Sequence, residues 1–160
     1  MSIMISSSTK GTVSDAVQDI KNQLQGIDVK MLIFFASSKF APQEISTEMQ
    51  LSFAKASVFG CSSSGEIVSG KMLKNSVVAM AFDSQTVQDV KVEVVEHLKG
   101  KINVNKAFFA FEKYFNEPVD EMDHTKYVGI VLVDGLSGAE EKLKILNTTE
   151  AGSASESEQR

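Results

Sequence analysis

The stretch Val29-Lys30-Met31-Leu32-Ile33-Phe34-Phe35-Ala36 decides how the rest of the chain reads. It is nearly continuously apolar, rich in Ile, Phe and Leu, and too short for a lone helix, which is the composition of a strand buried on both faces. Upstream, Val13, Ala16, Val17, Ile20 and Leu24 recur at the spacing of one helical stripe. Thr12 with Asp15 forms a partial capping box, and Gly26 is placed to stop that helix. Downstream, Pro42 opens a second helix where its missing N–H costs nothing, with Ile45, Met49, Phe53 and Ala56 on its inner face. Ser57-Val58-Phe59-Gly60 is a further short strand leading into the loop Cys61-Ser62-Ser63-Ser64-Gly65-Glu66.

The pattern continues toward the carboxyl end. Residues 76–82 (SVVAMAF) read as a buried strand, and in 90–95 the residues Val90, Val92 and Val94 alternate with Lys91 and Glu93 as in a strand with one wet face. Asn103 is placed to cap a third helix with the stripe Val104, Ala107, Phe108, Phe111 and Phe115, and Pro118 lies past its end. Phe109 and Tyr114 fall off that stripe and are expected at the surface. Residues 127–133 (YVGIVLV) read as a last buried strand running into Asp134-Gly135-Leu136-Ser137-Gly138, where Ser137 and Glu140 make the capping box of a fourth helix. Strands alternating with helices predict an α/β fold, and the consecutive strands of 76–95 predict an antiparallel pair. The expectation is a single domain, a mixed sheet flanked by helices, with α+β as the alternative. Residues 1–147 form the domain, and the polar segment 148–160 is expected to be disordered.

Composition narrows the function classes. A chain of 160 residues, 42% hydrophobic and 23% charged, is globular. Sixteen basic against twenty-one acidic residues give a net charge of −5 with the lysines scattered, which disfavours nucleic acid as a partner. The two longest apolar runs, 31–36 and 128–133, are far short of the ~20 residues of a membrane-spanning helix. One cysteine, Cys61, excludes an internal disulfide, and the opening MSIMISSSTKG lacks the features of a secretory signal. A cytoplasmic location without membrane association is the expectation.

Two segments at strand ends are candidates for chemistry, because ligands of open α/β sheets gather beyond the carboxyl ends of the strands. Cys61, Ser62, Ser63, Gly65 and Glu66 offer small side chains, hydroxyls and unencumbered N–H groups. They suit a carboxylate or another small polar group, or simply a turn. Asp134, Gly135 and Ser137 precede a capped helix whose free N–H groups suit an anion. Several catalytic motifs fail on a named residue. Gly65 to Met72 has P-loop spacing, but Met72 stands where magnesium needs a hydroxyl, and Ile67 and Val68 prefer strand geometry. The serine-hydrolase elbow lacks its final glycine, since Ser64 follows Ser63. Cys61 is the sole thiol nucleophile, with only His97 and His124 as bases, and no zinc spacing exists. No metal site and no catalytic residue is expected.

The stretches Met31–Ser37, Val58–Ile67 and Val133–Glu141 together resemble the N-terminal domain of the FIST family in order and spacing, over about residues 3 to 146. Gly60-Cys61-Ser62-Ser63-Ser64-Gly65-Glu66-Ile67 is the most family-specific part. The resemblance implies an intracellular bacterial sensory domain of signal transduction that binds a small ligand such as an amino acid, without catalysis, and signals to a partner such as a kinase or cyclase. No cofactor is implied for most members. Some members are haem-binding nitric oxide sensors, for which His97 or His124 would have to ligate iron, and neither lies in a matched stretch. Family members continue past the Asp-Gly-Leu-Ser-Gly helix into further strands, so the chain resembles a truncated member. The competing readings are a thiol enzyme using Cys61 and a nonfunctional fragment.

Overall fold

A computed structural model describes residues 2–96 and 104–134. The chain is α/β and divides into two compact units, Met1–Val92 and Glu93–Arg160.

The first unit opens with strand β1, Ile3–Ser8, which pairs antiparallel to a strand far along the chain. Helix α1, Val13–Gln23, follows the predicted stripe: Val13, Ala16, Val17, Ile20 and Leu24 are all buried. Its start is set by Thr12, whose hydroxyl accepts from Asp15 N and donates to Asp15 Oδ2 at 2.7 Å. After the left-handed Gly26 comes β2, Val29–Ser37, then α2, Pro42–Ser52, with Ile45 and Met49 buried. Strand β3 spans Ser57–Ser63 and runs parallel to β2, as a strand–helix–strand crossover requires. A hairpin of β4, Glu66–Val68, and β5, Lys71–Leu73, leads to β6, Val77–Asp83.

The four-stranded sheet has the order β1-β6-β2-β3, with β6 antiparallel to both neighbours. The mixed sheet expected from the sequence is present, although its antiparallel pairs are β6 with β1 and with β2 rather than 76–82 with 90–95. Leu32, Phe34 and Ala36 of β2 and Val77, Ala79 and Ala81 of β6 point to one side and join the α1 and α2 stripes in a single core. Truncating a side chain such as Ile20, Leu32 or Met49 there costs about 2–5 kcal/mol.

Serines on β1 make room for α1 rather than fill the core. Ser6 and Ser8 are buried, and the Ser8 hydroxyl donates to Asp19 Oδ2 at 2.7 Å, which holds that carboxyl below its ordinary range. The Gln23 amide, at the last turn of α1, accepts from Ser7 N at 3.2 Å and donates to Ser7 O at 2.9 Å. It thereby occupies backbone groups that an edge strand would otherwise leave free.

In the second unit, α3 spans Asn105–Phe115 and ends on Asn116 in the left-handed conformation. Val104 is buried and the rest of the stripe, Ala107, Phe108, Phe111 and Phe115, is half-buried; Phe109 and Tyr114 are exposed as expected, and a 3-10 turn, Val119–Glu121, follows. Val104 sits at the cap position without a side-chain bond, and Asn103 lies outside the described residues.

Two expected strands are corrected. Residues 90–95 join no ladder among the described residues, and Val92 and Val94 are exposed. Residues 127–133 likewise join none: Tyr127 packs edge-on against Phe115 and donates to Glu117, while Val128 is 86% and Val131 65% exposed. Alternation and apolar runs encode strand propensity, but a strand exists only where a neighbour completes its hydrogen bonds. The segment 148–160 and the helix expected after Ser137 lie outside the described residues.

Candidate functional site

Three chain segments meet at the carboxyl end of β2. Ser37 N donates to Ser76 O at 2.9 Å, Ser38 N to Ser63 O at 3.3 Å, and Ser37 stands beside Ser63 in the parallel register. Glu66, at the first position of β4, turns its carboxylate into this junction and is 1% exposed. Ser63 Oγ donates to Glu66 Oε1 at 2.7 Å, Ser76 N donates to Oε2 at 3.3 Å, and Ser76 Oγ donates to the same oxygen. A buried carboxylate without a cation is tolerable where such donors satisfy it.

The placement of the sequence candidates follows. Cys61, Ser62 and Ser63 belong to β3, not to a loop, so the turn shrinks to Ser64-Gly65. Ser62, Ser64 and Gly65 are exposed, and Ser63 is partly buried. Cys61 aligns with Phe35 on the sheet face opposite the core, and burial pushes its thiol above the ordinary value. Glu66 and Ser63 are brought into contact. Asp134 lies in the second unit and is exposed, while Gly135 and Ser137 lie outside the described residues. His97 also lies outside them, and His124 is exposed in a turn.

Gly60 explains how β3 can lie so close to β2. A Cβ built there would fall 2.1 Å from Phe34 O and 2.8 Å from the Phe34 ring, so only glycine fits. The P-loop-like run is a hairpin: Val68 pairs with Lys71 across Ser69 and Gly70, both with positive φ, the pattern of a type I′ turn. Its backbone is committed to a ladder and does not cradle phosphate.

Sequence reasoning missed Ser37 and Ser76 as members of the cluster. The available signal was their position at the ends of two apolar runs, flanking a glutamate that the fold would bury. A separate cleft of about 370 Å³ opens at the other end of the sheet, where Gly26, Asp28, Asp83 and Ser84 line it. Among the described residues no group of His, Cys, Asp and Glu is arranged to hold a metal, and no helix is long and apolar enough to cross a membrane.

Residues 30–153 match the model of the FIST N domain. The chain belongs to the FIST N domain family. All three stretches that carry the resemblance fall inside the matched span, whereas β1 and α1 precede it although they complete the same sheet and core. The FIST N domain family is a family of sensory domains. No curated protein and no solved structure matches the chain.

Proposed function

We propose that this FIST N domain is a cytoplasmic, non-catalytic sensory module that binds a small polar ligand, such as an amino acid, at the carboxyl ends of β2 and β3, and signals to a protein partner. The observation that carries the reading is the Ser63–Glu66–Ser76 cluster, which fixes the polar rim of the sheet. With Glu66 held inward, the exposed Ser62 and Ser64 hydroxyls and the Gly65 N–H are the groups left to meet a carboxylate or hydroxyl. The position is the one where open α/β sheets bind ligands. Burial of the Cys61 thiol supports a binding role over thiol chemistry, because a raised pKa leaves little thiolate at neutral pH.

A thermal-shift screen of the purified chain against the amino acids and haem tests the reading. A ligand present at about 100 times its Kd stabilises the native state by about 2.7 kcal/mol, and the shift should shrink in Ser62→Ala and Ser64→Ala. No shift with any compound at roughly millimolar concentration overturns an amino-acid role. A shift with haem alone replaces it with a haem protein.

A further inference from the structure

The two strands that flank β6 end in the same device. β1 ends at Ser8 and β2 at Ser37, and each serine is followed two residues later by a lysine and five residues later by the first residue of a helix. The Ser8 hydroxyl accepts from Lys10 N and the Ser37 hydroxyl from Lys39 N, both at 3.3 Å. Each turn therefore buries a serine and leaves a hydroxyl and an ammonium outside: Thr9 with Lys10 in one, Ser38 with Lys39 in the other, all four exposed. Ser8 and Ala36 both stand beside Val77 in the ladders, so the turns lie at one end of the sheet. They flank the start of β6, about 10 Å apart, which is two strand spacings. That end is the carboxyl rim to which Ser63 and Glu66 belong.

The positive charge of these turns stays available to solvent. Among the described residues neither lysine makes an ion pair, and Lys39 Nζ rests 5.5 Å from the centre of the buried Phe40 ring. The carboxylates nearby accept from hydroxyls: Asp15 from Thr12, Asp19 from Ser8, and Glu66 from Ser63 and Ser76. The Ser8 hydroxyl does more than the charge of Lys10 to hold Asp19 below its ordinary range. Glu44, exposed in the first turn of α2, subtracts from the two cations without cancelling them. The positive ends of the α1 and α2 dipoles lie at the same rim and add to the field of the lysines.

We propose that this rim is selective for a small dicarboxylate, with one carboxylate held by the Lys10 ammonium and the Thr9 hydroxyl and the other by the Lys39 ammonium and the Ser38 hydroxyl. The inference rests on the reading that a polar ligand binds at the carboxyl rim, and it names the class of that ligand. The two hydroxyls stand on short side chains about 10 Å apart and cannot both meet one compact anion, whereas a chain of about four to six carbons with a carboxylate at each end spans them once the hydrogen bonds are added. Two charge-assisted sites also discriminate against a neutral ligand, which would leave both ammonium groups unmatched.

The test titrates glutarate into the full chain and follows amide resonances, with butyrate and glutaramide as comparisons. Glutarate should shift the amides of Thr9, Lys10, Ser38 and Lys39 saturably and bind about tenfold more tightly than butyrate, with no binding of glutaramide. Lys10→Gln and Lys39→Gln should each reduce glutarate to the affinity of butyrate, and arginine at either position should retain it. The melting temperature should stay unchanged, since both side chains are exposed. Equal affinity for glutarate and butyrate, or glutarate binding unchanged in either glutamine variant, would overturn the proposal. So would the absence of a saturable shift at these four amides with succinate, glutarate or adipate at roughly 10 mM. A neutral amino acid that shifts the amides of Ser62, Ser64 and Gly65 while glutarate shifts none overturns this inference and leaves the rim as a binding site; silence of every rim amide with every compound overturns both.

Discussion

The Ser63 hydroxyl donates to Glu66 Oε1 across 2.7 Å, tying the last residue of β3 to the first residue of β4. The same carboxylate reaches forward ten residues to Ser76, at the threshold of β6. One side chain therefore fastens the hairpin to both strands that flank it in the chain.

Replacing that side chain should be expensive. Glu66→Ala strands the Ser63 and Ser76 donors in a buried site, and we expect a loss of about 3 kcal/mol in urea unfolding. Glu66→Gln keeps the shape and part of the bonding, and should lose about 1 kcal/mol. Equal losses for the two would contradict a hydrogen-bonding role.

Gly60→Ala places a methyl group against the carbonyl and ring of Phe34. The backbone atom cannot swing aside as a flexible side chain would, so we expect destabilisation of about 1–3 kcal/mol from overpacking. A melting curve superimposable on that of the unmodified chain would refute the close approach.

Asp83 gives a pH dependence with a definite sign. Its carboxyl accepts from Thr86 N at 2.7 Å and from the Thr86 hydroxyl, which hold its pKa below the ordinary 3.8. The stabilisation is fully present above the unfolded value and is lost as the pH falls through the lower folded value. Asp83→Asn should flatten the decline in urea midpoint below about pH 4, and an unchanged acid limb would count against it.

Cys61 should react slowly with a disulfide reagent at pH 7 and accelerate only above its ordinary value of 9.0, because burial raises the thiol. Rapid modification at neutral pH, at the rate of a free thiolate, would revive the enzyme reading.

The helical stripe of α1 was legible because five apolar residues kept one period and Thr12 marked its start. Strand β2 was legible because its two faces are both largely buried, which leaves an unbroken apolar run. Strand β1 was not, since serines at positions 6 and 8 replace the apolar residues that usually announce a strand. The polar end of β3 was read as a loop for the same reason: Cys61, Ser62 and Ser63 have turn-like composition, yet the adjacent Phe35, Ala36 and Ser37 backbone supplies their ladder. The opposite error befell 90–95 and 127–133, where local pattern was strong and no partner completes it among the described residues. Glu66 illustrates the limit at the site, because its inward turn depends on Ser76, and no local spacing announces that pairing.

Gln23 has a consequence for assembly. By imitating a neighbouring strand at Ser7, it makes β1 a poor template for fibrillar growth: an incoming chain would first have to displace an amide that already fills the slot. Misassembly by stacking should therefore start elsewhere, and a Gln23→Ala chain should show a shorter lag before it gels.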